Sequence, residues 1–353
     1  MKKVILISIA LLALSTICSA QVASLSLDWS YDGSGVGWSA SRGAYNFSTD
    51  HFVICDYAAP AVRIASGADG TLTGGTLDLT GLNLHSTLGV FGICVARDGV
   101  IYGGTGRSTA ATDDSGNSLI RWENESATPT QQDPTPLEGT ELTFVRTMDV
   151  RNTGVDTLIC VIGANYDAPQ ILTTTNGTDF AITDIGLGPD ADIGVGKSGV
   201  AVNSDGTRVY GSQADGNNFV RRQDKVDGTW ELNTTFSDNV DVTDLPTAIG
   251  YGEGINTVFA LETHGATEDT TDMMVAIDGD FGNEVAEVDP GVLIARWGYG
   301  KCDIDEDNMK VYFAARGSDG SDAGGYAVGV VSYTTPTPTP IILEADMSWG
   351  LYE

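Results

Sequence analysis

A turn signal recurring six times, short apolar strands on both sides of each turn, and no competing helical periodicity predict an all-β fold, a six-bladed β-propeller closed by an N-terminal strand. The turns fall at 50, 98, 154, 205, 254 and 307, so the intervals run from 48 to 56 residues. A sandwich would show turn signals every ~8–12 residues without this longer period. One small sheet cannot bury both of its faces alone, whereas sheets stacked radially bury a continuous core. Seven blades is the alternative, because the stretch from Trp29 to Trp38 has room for a degenerate hairpin.

The chain opens with Lys2 and Lys3, an apolar run from Val4 to Leu14 and then Cys18-Ser19-Ala20, which reads as a signal peptide over 1–20 removed after Ala20. Ile17 before Cys18 argues against a lipoprotein. Val22 to Trp29 alternates as a strand does but belongs to no complete repeat, so it is expected to pair with Gly325 to Tyr333 and supply the strand that the last blade lacks. The fourth repeat shows its strands most clearly: Val200 to Asn203, Arg208 to Ser212, Asn218 to Gln223 and Trp230 to Phe236. The fifth offers Ala248 to Tyr251, Thr257 to Glu262, Met273 to Ile277 and Glu284 to Val288. The sixth offers Lys301 to Ile304, Lys310 to Ala315 and Gly325 to Tyr333. The propeller is thus expected over 21–334, followed by a Thr-Pro linker at 335–340 and a tail at 341–353.

The best repeat copies are Gly199-Val200-Ala201-Val202-Asn203-Ser204-Asp205-Gly206-Thr207-Arg208-Val209-Tyr210 and Gly92-Ile93-Cys94-Val95-Ala96-Arg97-Asp98-Gly99-Val100-Ile101-Tyr102. Their Asp-Gly pairs are expected to supply the positive φ angles of tight hairpins. This pattern resembles the YVTN-type repeat of secreted β-propellers. The resemblance implies a propeller, commonly of seven blades in that family, with a surface or binding role and no fixed catalytic motif.

A formal charge of −30, made more negative when Lys2 and Lys3 leave, excludes nucleic acid as a partner and disfavours anionic lipid. No second apolar stretch has the length of a membrane span, so the mature chain is expected to be secreted, whether extracellular, at the cell surface or periplasmic. Cys55, Cys94, Cys160 and Cys302 sit in apolar strand runs without CxxC spacing, which reads as buried free thiols.

Asp303, Asp305 and Asp307 alternate along a hairpin turn and resemble the D-x-D-x-D-G calcium loops of integrin-type propellers, although Asn308 stands in the glycine position. They are the candidate metal ligands, and calcium the candidate cofactor. The loops expected around the channel mouth carry a second group: Asp190, Asp192, Asp241, Asp244, Glu262, His264 and Asp319. Ala191 to Ser198 matches a relaxed phosphate-binding loop, but a strand follows it where such a loop needs a helix. The chain's three histidines, His51, His85 and His264, fall in separate repeats, so no triad is legible.

Acids without matching bases point to a non-catalytic binding or surface-scaffold module for a protein or glycan partner. The alternative is a calcium-dependent propeller hydrolase of lactonase-like or phytase-like type.

Overall fold

The computed structural model describes residues 21–38, 40–56, 60–84, 89–105, 117–137, 140–142, 145–163, 168–187, 199–213, 219–240, 245–263, 272–295, 300–318 and 324–336. The chain begins with β1 (Ser24–Asp32), whose partner lies at the other end of the sequence. Four antiparallel sheets of four strands follow in simple order. The first is β2 (Ala40–Asn46), β3 (His51–Asp56), β4 (Ala61–Ser66) and β5 (Leu72–Thr76). The second is β6 (Val90–Val95), β7 (Ile101–Thr105), β8 (Leu119–Trp122) and β9 (Thr130–Gln132). The third is β10 (Val145–Arg151), β11 (Leu158–Gly163), β12 (Gln170–Thr174) and β13 (Phe180–Ile185), and the fourth is β14 (Gly199–Val202), β15 (Arg208–Gln213), β16 (Phe219–Val226) and β17 (Thr229–Leu232).

The remaining strands form one sheet of eight: β18 (Leu245–Gly252), β19 (Thr257–Thr263), β20 (Met273–Asp278), β21 (Glu284–Val288), β22 (Gly300–Asp305), β23 (Lys310–Arg316), β24 (Tyr326–Thr334) and β1. Its two halves are hydrogen-bonded to each other through a short parallel bridge, Ala248 with Gly300 and Ile249 with Lys301. β1 runs antiparallel to β24 from Ser24 opposite Thr334 to Asp32 opposite Ala327. Leu25 and Leu27 pack inward on that strand while Ser24 and Ser26 do not, as a period of two requires.

The first strand of every group touches its counterparts on both sides, β2 with β6, β6 with β10, and so on through β22, which touches β2. An apolar cluster fills each gap between neighbours. Val53 and Ile64 meet Ile93 and Trp122; Tyr102 meets Met148 and Val161; Ile162 and Ile171 meet Val202 and Val209. Farther round, Tyr210 and Val220 meet Ile249 and Val275, Phe259 and Met274 meet Cys302 and Phe313, and Ala314 and Tyr326 meet Tyr45 and Phe52. Every sheet is therefore covered on both faces by another sheet, and the fold is an all-β propeller. Among the described residues, Cys55, Cys94, Cys160 and Cys302 are buried free thiols. Trp122 and Trp230 are core residues between sheets.

Two local expectations change. Of each Asp-Gly pair only the glycine has positive φ, Gly99 at 88° and Gly206 at 73°, while Asp98 and Asp205 accept hydrogen bonds from the backbone of Val100 and Thr207. The aspartate thus shapes the turn through its side chain and only the residue without Cβ takes the left-handed position. The corresponding turns elsewhere put Asp50, Asn152, Asn256 and Met309 there. The expected strand Trp230 to Phe236 also stops early, at Leu232. Asn233 accepts from the Phe236 amide at 3.0 Å and caps the short helix α1 (Thr234–Asn239).

Candidate active site at the channel mouth

The first strands β2, β6, β10, β14, β18 and β22, each touching the next, surround a channel with two different ends. At one end these strands begin, and at the other they turn into their second strands. At the starting end, four of them carry a register shift in the same place: Ala40/Arg42 in β2, Val90/Gly92 in β6, Val145/Thr147 in β10 and Pro246/Ala248 in β18. A bulge of this kind takes one residue out of the ladder and re-aims the side chains around it. The residues passed over are Ser41, Phe91, Arg146 and Thr247.

This device gathers chemistry that the sequence did not flag. Arg42, only 2% exposed, lays its guanidinium 4.8 Å from the centre of the Phe91 ring. Burial first, and then the nearby Arg146 charge, push the Arg42 guanidinium well below its ordinary value. The two guanidiniums, carried by different sheets, thus act on one another electrostatically at this end. Thr247 donates its hydroxyl to the Leu261 carbonyl at 3.0 Å, and Glu262, 7% exposed, pairs with Pro246 at the same end. Arg42, Phe91 and Arg146 look like isolated strand residues in sequence, because a bulge depends on the partner strand as much as on its own residues.

Of the candidate ligands around this mouth, Glu262 lies at the end of β19. Asp190 and Asp192 fall between β13 and β14, Asp241 and Asp244 between α1 and β18, His264 just after β19 and Asp319 between β23 and β24; all six lie outside the described residues, as does the loop match Ala191 to Ser198. The strand ends that flank those segments are at the starting end of the channel.

At the turning end the structure does not bring Asp303, Asp305 and Asp307 together. Asp303 pairs with Lys301 at 2.8 Å and accepts the Tyr45 amide at 2.7 Å. Asp305 accepts the Asn308 side-chain amide at 2.8 Å, and Asp307 is exposed. Among the described residues no group of three or more His, Cys, Asp or Glu side chains is placed to hold a metal ion. The described residues therefore do not fit a calcium site. What occupies this end is an ion-pair network. Lys301, 6% exposed at its side chain, bridges Asp303 and, across the channel, Asp149 at 3.0 Å. Asp149 also forms an ion pair with Arg151 at 3.2 Å and accepts the Val202 amide at 3.0 Å. Burial alone would raise the Asp149 carboxyl, but Arg151 and Lys301 outweigh it and hold the group below its ordinary value. Lys301, penalised by burial, is held above its ordinary value by Asp303 and Asp149.

Over this network lies a cavity of about 260 Å³ lined by Arg97, Arg151, Glu253 and Glu306 among others. Each of those four also ties one turn to another. Glu253 accepts the Ser204 amide at 2.9 Å, Glu306 the Gly254 amide at 3.1 Å, Arg151 donates to the Tyr251 carbonyl at 2.8 Å, and Arg97 donates to the Ile304 carbonyl.

No protein-family model matches the sequence, and no curated protein matches it. Solved structures do. A gluconolactonase from Xanthomonas campestris superposes with a TM-score of 0.52 at 13% identity, over 86% of this chain and 89% of that one. A luciferin-regenerating enzyme gives 0.50 at 10% identity, over 86% and 95%. The β-propeller domain of Cps50 from Myceliophteria thermophila gives 0.51 at 10% identity, over 88% and 100%. The likeness is one of fold. The expectation of a non-catalytic binding or scaffold module is corrected by these neighbours, since the structures that share this shape include a gluconolactonase and a luciferin-regenerating enzyme.

Proposed function

We propose that the protein is an exported propeller hydrolase that opens lactones or comparable small esters at the starting end of the channel. The observation that carries this reading is the pair Arg42 and Arg146, set at the mouth by recurrent bulges in a fold shared with a gluconolactonase. Attack of water on an ester carbonyl places negative charge on the carbonyl oxygen. Fixed guanidinium charges in a water-poor site stabilise that charge without reorganising. The attacking water must give up a proton to a base within hydrogen-bond reach. Glu262 is the described candidate, and Asp190, Asp192, Asp241, Asp244, Asp319 and His264 are the candidates on the flanking segments. Because the described residues hold no metal set, no step is assigned to an ion.

The finer architecture belongs to the same proposal. Read at its two-pair bridge, the eight-stranded sheet is two blades of four, which makes six blades with β1 as the outer strand of the sixth. The Asp-Gly turns of the hairpins β6–β7 and β14–β15 support reading them as YVTN-like repeats. A leader over 1–20 and a net charge of −30 fit a secreted enzyme that avoids nucleic acid.

The test is hydrolysis of a lactone and ester panel, followed by acid release against the spontaneous rate, with and without calcium, magnesium or zinc. Turnover that falls sharply in Arg146→Gln while the melting temperature holds is the expected result. No turnover above the spontaneous rate under any of these conditions would remove the proposal.

A further inference from the structure

Under the export reading, cleavage after Ala20 makes Gln21 the first residue of the mature chain. The chain is anchored immediately after it. Val22 is 3% exposed within the cluster built on Phe259, Phe313 and Val331, and the Ala23 amide donates to the Thr334 carbonyl at 2.7 Å. Gln21 alone projects beyond that anchor, and its side-chain amide nitrogen donates to Asp278 Oδ2. Asp278 is itself held in place, 3% exposed, with Oδ1 accepting the backbone amides of Asp280 and Phe281 at 2.8 Å each.

We propose that Gln21 is a modification site, closed to a pyroglutamyl lactam with Asp278 assisting. The freed α-amine attacks the side-chain carbonyl carbon, Cδ. A bond forms between the α-nitrogen and Cδ, the bond from Cδ to Nε2 breaks, and Nε2 leaves as ammonia with the proton that the α-nitrogen gives up. No oxidant or second substrate enters. The Asp278 carboxylate touches the departing nitrogen, so it orients the amide and stabilises the positive charge that grows on the leaving group. The product ends in a neutral ring that an aminopeptidase cannot open from an amine, on a terminus already pinned by Val22 and Ala23.

This inference rests on the export reading, and two preparations separate the failures. One is the mature protein recovered after export. The other is a fusion cleaved by a protease that leaves Gln21 first. Intact mass should show both to be one ammonia lighter than the chain from Gln21, and both should resist stepwise degradation from the N-terminus. Asp278→Asn keeps the Oδ1 acceptor for the turn and should slow ring closure in the cleaved fusion several-fold. An exported chain that starts elsewhere removes the modification from the natural protein even if the fusion cyclises. A free Gln21 amine persisting in the fusion overturns the chemistry, and an Asp278→Asn chain that cyclises as fast as the unaltered one overturns the role of Asp278.

Discussion

The two ends of the channel are built on opposite lines. At the turning end, Lys301 spans from β22 to Asp149 on β10, and Glu253, Glu306, Arg97 and Arg151 tie neighbouring turns together. Opposite charges are matched and hydrogen bonds run to backbone. At the starting end, bulges interrupt four inner strands, and two arginines from different sheets act on one another electrostatically. One end uses its charges to hold the ring, while the other, in the proposed function, sets two guanidiniums where a developing anion would meet them. The difference teaches where each kind of mutation should be felt.

Lys301→Met should give the largest effect. Among the described residues it takes the only ammonium from Asp303 and one of two cations from Asp149, and breaking a buried pair in this way costs about 3–5 kcal/mol. Urea unfolding should show the loss in the midpoint, and a midpoint within error of the unaltered protein would mean that the turning end does not hold the ring. Arg146→Gln is the counterpart: its stability change should be small, while turnover of a responsive lactone should drop roughly 10²-fold, the usual result of removing one electrostatic stabiliser. If stability falls and turnover does not, the two ends have been assigned the wrong way round.

The acid and alkaline limits sharpen the comparison. Asp149 is held below its ordinary value, so its contribution is complete above about pH 4 and is lost as pH falls through the lowered folded value. Lys301 is held above its ordinary value, so its contribution is complete below about pH 10 and is lost as pH rises beyond that. The difference in unfolding free energy between the unaltered protein and Lys301→Met should therefore be flat in between and shrink at both extremes. Parallel pH curves for the two proteins would detach the network from stability. The smallest expected effect is a gain: Met309, exposed and at φ 53°, should yield about 0.5–1 kcal/mol of stability when replaced by Gly, less whatever the more flexible unfolded chain takes back. A lower melting temperature in Met309→Gly would show that its side chain matters to the turn more than its backbone does.

The repeat was legible because its signals are local: an Asp-Gly or Asn turn between two alternating apolar runs is readable wherever it occurs. The strand Val22 to Trp29 was legible for the same reason, as an alternation without a hairpin partner nearby. The outer strand of the fourth repeat was misjudged at its end because Asn233, which in sequence reads as one more polar residue, acts as a helix cap. The site was far less legible. Arg42, Phe91 and Arg146 come from three sheets and lie at or beside bulges, which arise from pairing rather than composition. Asp303 was singled out for calcium because its neighbours along the chain are acidic, yet its actual partners are Lys301 and the Tyr45 amide, the latter from the first sheet. Spacing along one strand cannot show what faces it across a channel.

The pairing of β1 with β24 also sets a schedule. Ser24 and Thr334, hydroxyl to hydroxyl at 2.7 Å, are 310 positions apart, so the first strand to be made has to wait for the last before it finds its partner. Contacts so distant in sequence are slow to form, because a long loop must be closed before anything is gained from closing it. Each sheet can assemble as its own residues emerge, but the ring has no finished edge until the end of the chain arrives. A chain ending before residue 326 would leave β1 without its partner strand and expose an unpaired edge, and the pairing that closes the ring is also the one that spans the most sequence.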